Sequence, residues 1–122
     1  MNTILAIFLG GGLGSVTRYG MSKLINSGFQ NINPVATLAS NFISTALLGI
    51  ILFYVSERMQ LPGTLKAMIL VGFCGGFSTF STFSYETFEL IRTGSYFYAF
   101  GNIFISFGLI VGMLFLLAKS FN

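Results

Sequence analysis

The residues best suited to chemistry in this sequence fall in one run, Gly72-Phe73-Cys74-Gly75-Gly76-Phe77-Ser78-Thr79-Phe80-Ser81-Thr82-Phe83-Ser84-Tyr85-Glu86. Adjacent glycines followed by Ser and Thr are poor material for a helix interior, because Gly adds backbone freedom and Ser/Thr favour caps. The run predicts a helix break within residues 75–79, with Ser78 or Thr79 capping the second half. A break frees carbonyls at one helix end and N–H groups at the next, which can hold a cation and attract an anion respectively. A plain glycine kink with its polar groups bonded internally is the alternative reading.

Phe77, Phe80 and Phe83 recur every third residue and, on one continuous helix, form a ridge. Lipid or core contact is the ordinary explanation of such a ridge. The interleaved hydroxyls make this one both aromatic and polar. Ring edges carry positive potential, so edges pointing into a pore favour a small anion without a full charge. Ser81, Thr82 or Ser84 can then replace part of its hydration shell.

Other polar residues sit far from any hydrophilic stretch. Asn41 lies beside Thr37 and Ser40, and Asn102 and Ser106 share a helix face four residues apart. Such groups either bond across helices or line a polar track. Arg18 either snorkels to an interface or gathers anions at a vestibule. Glu86 has three readings: a gate, a proton carrier or an interfacial charge. Glu89 and Arg92 are spaced for a surface ion pair, and Cys74, alone in an apolar stretch, reads as inert.

The elements that must position these residues are marked by the charges. No charged side chain falls between Met1 and Arg18, Lys23 and Glu57, Lys66 and Glu86, or Arg92 and Lys119. These gaps approach or exceed the roughly 20 residues that a membrane-spanning helix needs. Four spans are expected, near 3–22, 34–56, 66–91 and 96–118. Asn33-Pro34 opens the second as N-cap and first helical residue. Leu61-Pro62-Gly63 and Thr93-Gly94 supply turns. The first span lacks the basic flank and cleavage site of a signal peptide.

Composition supports the same class. The 122 residues are 54% hydrophobic and 7% charged, against about 25% charged in soluble domains. A cytosolic enzyme is therefore excluded as a reading. The absence of His and the single Cys remove most zinc sites, Ser-His triads and disulfide frameworks. The net charge of +3 has no basic cluster behind it, so nucleic-acid binding has no support.

With four spans, Arg58, Lys66 and Lys119 fall on one side of the membrane, and Arg18, Lys23 and Arg92 on the other. That even split leaves no positive-inside bias. Either one position or a partner decides the orientation, or the chain inserts both ways and pairs as an antiparallel homodimer. Gly10/Gly14, Gly72/Gly76 and Gly108/Gly112, with Ala36/Ser40/Ser44, have the small-residue spacing of close helix contacts. They fit packing within one chain or between two.

Three stretches carry a resemblance: Gly11-Gly12-Leu13-Gly14-Ser15-Val16-Thr17-Arg18-Tyr19, then Thr37-Leu38-Ala39-Ser40-Asn41, then the run from Gly72 to Glu86. In this order, over the whole four-span length, they resemble the Fluc (CrcB) fluoride ion channel family. Ala36 stands where that family usually has Gly, and Ser78 where it usually has Thr.

The resemblance implies an all-α integral membrane protein of the cell membrane, with its third helix broken mid-membrane. It further implies a dual-topology antiparallel homodimer whose two pores export cytoplasmic fluoride passively. On that likeness Phe80 and Phe83 meet fluoride with their ring edges, and Asn41 lines the path with Ser81 and Thr82 nearby. Asn102 and Ser106 match the start of a polar track, which continues here as the apolar Ile110 and Leu114. Arg18 sits at the vestibule. Backbone carbonyls of Gly75 and Ser78 hold a structural sodium ion (Na+) on the dimer axis. Partners are thus fluoride, a second copy and the lipid bilayer.

Two transport alternatives stand beside this one. A fluoride/proton antiporter would use Glu86 as its proton carrier. A small multidrug/proton antiporter needs a membrane-embedded acid, and the first span has none.

Overall fold

The computed structural model describes residues 2–25, 34–55 and 58–120, so the expected cap at Asn33 and the boundary charge Glu57 lie outside the described residues. Four helices are long and apolar enough to cross a membrane: Thr3–Ile25, Pro34–Val55, Gly63–Arg92 and Tyr96–Ser120. We label the first two α1 and α2. The third consists of α3, residues 63–77, and α4, Phe80–Arg92. The last, Tyr96–Ser120, is α5.

The third span has 30 residues, roughly 45 Å if wound as one α-helix. That exceeds the roughly 30 Å hydrocarbon core, so the span has length to spare for an interruption. Ser78 (φ −85°, ψ 159°) and Thr79 (φ −154°, ψ 124°) are extended. Gly75 and Gly76 remain helical, within the short α-helical segment Gly75–Phe77 that ends α3. The break thus falls after the glycines, at the residues whose side chains can cap. Upstream, Met68–Cys74 winds as a wider π-helix, as does Ile51–Val55 at the end of α2.

Short turns punctuate the chain. Pro62 is the N-cap of α3 and Gly63 its first residue, so the expected Leu61-Pro62-Gly63 turn runs directly into helix. At the end of α4, Gly94 has φ +84°. Its N–H donates to the Ile91 carbonyl (3.0 Å), and the Ser95 N–H to the Leu90 carbonyl (2.8 Å). This is the paired-bond C-cap that glycine makes without steric cost.

Packing is closest between α1 and α3. A Cβ at Gly10 would collide with the Met68 carbonyl oxygen, one at Gly14 with that of Phe73, and one at Gly76 with that of Gly11. Two of the expected glycine pairs therefore face each other, backbone on backbone. A Cβ at Gly108 or Gly112 would meet nothing within 4 Å among the described residues, so the third pair makes no such close contact there. The interior is small: Ala6, Ala36, Ser40, Ser44 and Ala99 are buried, while Phe8, Phe97, Phe104 and Phe115 point outward. An apolar exterior over a small-residue interior is how helices associate where lipid supplies no hydrophobic drive.

The break also overturns the three-member phenylalanine ridge. Phe77 ends α3 and is buried with its ring edge-on to Phe73, at 5.7 Å between centroids. Phe80 begins α4, where the helical phase restarts. Only Phe80 and Phe83 stay together.

Candidate functional site

Helix α2 grips the break on both sides. Upstream, Ser44 Oγ donates to the Cys74 carbonyl (2.7 Å), which also accepts from Ser78 N–H (3.0 Å) and Ser78 Oγ (2.8 Å). Downstream, Asn41 Oδ1 accepts from Thr79 N–H (2.7 Å), and Asn41 Nδ2 donates to the Thr79 carbonyl (3.2 Å). Thr79 Oγ1 then accepts from Thr82 N–H (3.2 Å), capping α4. Of the two expected caps, Thr79 takes the role, and Ser78 closes the preceding helix instead. Backbone groups at membrane depth are thereby satisfied by neighbouring helices, the condition for irregular backbone there.

These bonds release two carbonyls from the helical ladder. In an unbroken helix Thr79 N–H would donate to Gly75 and Thr82 N–H to Ser78; here both donate to side chains. A Cβ at Gly75 would meet nothing within 4 Å among the described residues. Gly75 and Ser78 are the residues whose carbonyls the family likeness assigns to sodium. Neutral carbonyl oxygens released from the helical ladder suit a hard cation, so the type of donor fits the ion.

From the other side, Arg18 Nε donates to the Gly76 carbonyl (3.1 Å). The guanidinium thus lies at the C-terminal end of α3, where the helix dipole favours a cation.

A cleft of about 260 Å³ opens beside the break. It brings together Asn41, Phe80, Phe83 and Ser106 from the expected path, and adds Thr45, Ser78, Thr79 and Phe107. Among the described residues, no ionisable side chain lines it. Phe80 is 71% exposed and Phe83 8%. Their centroids are 5.9 Å apart at an interplanar angle of 42°. Phe107 stands nearly perpendicular to Phe83, at 5.9 Å and 82°.

The remaining candidates lie around this cleft. Ser81 and Thr82 are outside its lining, with Ser81 Oγ 3.3 Å from Thr79 Oγ1. Ser106 Oγ donates to Asn102 Oδ1 (3.3 Å), Asn102 Nδ2 to Thr87 Oγ1 (3.0 Å), and Thr87 Oγ1 to the Phe83 carbonyl (2.9 Å). Both candidates on α5 are thus tied to the backbone that carries Phe83. Glu86 is not an interfacial charge: it is 3% exposed, and Thr37 Oγ1 donates to its Oε2 (2.9 Å). Glu89 and Arg92 form an exposed pair, with Nε to Oε1 at 2.8 Å.

Sequence reasoning missed Ser44, Thr45 and Phe107. Ser44 stood out only as a small residue, although its hydroxyl at membrane depth was a signal. Phe107 follows Ser106 among many phenylalanines and carries no distinguishing signal.

Residues 5–118 match the family described as CrcB-like protein, Camphor Resistance (CrcB). Among curated relatives, the fluoride-specific ion channel FluC of Coxiella burnetii (strain CbuK_Q154) is 41% identical over 109 residues, covering 88% of either chain. The fluoride-specific ion channel FluC 1 of Yersinia pestis is 40% identical over 105 residues, 86% of this chain and 82% of that one. The fluoride-specific ion channel FluC of Flavobacterium psychrophilum is 37% identical over 114 residues, 93% of this chain and 90% of that one.

Proposed function

The chain belongs to the CrcB family, and from that premise we propose that it is a multi-pass membrane protein conducting fluoride passively through the cleft beside its broken third span. The observation that carries this reading is the cleft itself: Phe80 and Phe83 share it with Asn41 and Ser106, and no ionisable group among the described residues lines it.

Fluoride is small and tightly hydrated, so a selective path must replace its water with many donors. A fixed cation in the path would bind it too tightly to release. The rings of Phe80 and Phe83 offer positive edges without such a charge. Phe80, the first residue of α4, lines the same place, and the helix dipole favours an anion at that end. Inside a cell, a weak acid that enters neutral and dissociates leaves its anion trapped. The negative interior potential then drives that anion out through a passive pore, and no catalyst is needed.

The reading extends to a homodimer of antiparallel copies with two pores. It is supported by the three-to-three division of basic residues and by the exposure of Phe80, which leaves one wall of the cleft open. The Gly75 and Ser78 carbonyls would hold a sodium ion, which supplies positive charge at the seam between copies.

A second reading, fluoride/proton antiport, draws on the burial of Glu86 against Thr37. Fluoride efflux from liposomes, clamped with potassium and valinomycin and run with and without a pH gradient, separates the two. A channel gives flux that follows voltage and ignores pH. Electroneutral, proton-coupled flux would establish the antiporter instead.

A further inference from the structure

Asn41 commits both ends of its amide to the backbone of one residue, accepting from the Thr79 N–H at 2.7 Å and donating to the Thr79 carbonyl at 3.2 Å. An asparagine amide has two N–H groups and one carbonyl, so these bonds occupy its oxygen and one N–H. In a continuous helix the Thr79 N–H would return to the Gly75 carbonyl. Asn41 takes that donor and leaves Thr79 extended. Thr79 is also the N-cap of α4, and Phe80 is the first residue after it. The direction in which Phe80 enters the cleft is therefore set by the backbone that Asn41 holds.

The rest of α2 reinforces this grip. Three residues on, Ser44 fixes the upstream side of the break through the Cys74 carbonyl. With Asn41 removed, the Thr79 N–H is free to rejoin Gly75. Continuous winding would then bring Phe80 into line with Phe77, which is buried against Phe73.

We propose that Asn41 is a positioning residue: by keeping the Thr79 backbone out of the helix, it holds Phe80 in the cleft. This role rests on the channel reading above, and it gives Asn41 control of Phe80 beside its own place in the cleft lining.

The test asks whether blocking the rewinding rescues the loss of Asn41. Thr79 is replaced by its α-hydroxy acid in the full-length protein, which exchanges the N–H for an ester oxygen and so removes the bond it would gain by rejoining Gly75. Fluoride efflux from liposomes is then measured for Asn41→Ala, for the ester and for the two combined. Asn41→Ala is expected to lower flux about tenfold, with the size-exclusion profile retained. The combined variant should be faster than Asn41→Ala, and the ester alone controls for the weaker Ser78 carbonyl that the exchange also makes. A combined variant no faster than Asn41→Ala, once scaled by the ester alone, would overturn the positioning role and leave the channel reading standing. Asn41→Ser carries the same comparison if Asn41→Ala does not fold. Absence of fluoride flux in the unsubstituted protein would remove the channel reading itself.

Discussion

Arg18 and Gly76, 58 residues apart in sequence, are joined by a bond from the guanidinium Nε to the backbone carbonyl at 3.1 Å. The contact ties α1 to the last turn of α3, one residue before Phe77. A hydrogen bond from a charged donor contributes about 1.5–3 kcal/mol. Arg18→Ala is expected to lower stability by about that amount, read as unfolding of the detergent-solubilised protein. Arg18→Lys should recover only part of the loss, because an ammonium keeps the charge but not the planar fork. Equal stability of all three proteins would show that the contact is idle.

Phe80 separates chemistry from packing. It is largely exposed within one chain, so shortening it costs this fold little. Phe80→Ile is expected to reduce fluoride efflux strongly while cross-linking still reports a dimer. Unchanged efflux would rule out the ring edge as a contact for the ion.

The glycines divide into two groups. Gly14→Ala places a methyl against the Phe73 carbonyl, and overpacking of this kind costs about 1–3 kcal/mol. Gly108→Ala places one where no described residue comes within 4 Å, so monomer stability should not change. A weaker dimer in Gly108→Ala, measured by dilution in detergent, would assign that face to a second copy. An unaltered dissociation constant would assign it to lipid.

Glu86→Gln keeps an oxygen that can accept from Thr37 and removes the charge and the titration. A channel with this substitution should still pass fluoride with voltage as the driving force. Abolished flux, together with loss of any response to a pH gradient, would identify Glu86 as a proton carrier.

Much of this architecture was legible in the sequence because charges are too costly to place casually in a membrane. Their gaps gave four spans, and Gly75-Gly76 followed by Ser78-Thr79 gave a break within residues 75–79. The phenylalanine ridge failed for a definite reason. Counting in threes assumes one continuous helix, and two extended residues restart the phase between Phe77 and Phe80. The partners of Asn41, Ser44 and Arg18 depend on how neighbouring helices are rotated about their axes, which residue types do not specify. Glu86 was ambiguous because its position relative to the end of α4 allows either a surface or a buried setting. Its 3% exposure and the approach of Thr37 from α2 show the buried setting.

The seam between α1 and α3 inverts the usual relation between size and tolerance. In a soluble protein the interior keeps bulk and the exterior varies freely in volume. Here Gly10, Gly14 and Gly76 admit no added carbon without displacing backbone, whereas Phe8, Phe104 and Phe115 face outward. A saturation scan of this chain should therefore look like a photographic negative of a soluble core. The intolerant positions would be those with the least side chain, and outward aromatic residues away from the cleft would exchange freely with other apolar ones.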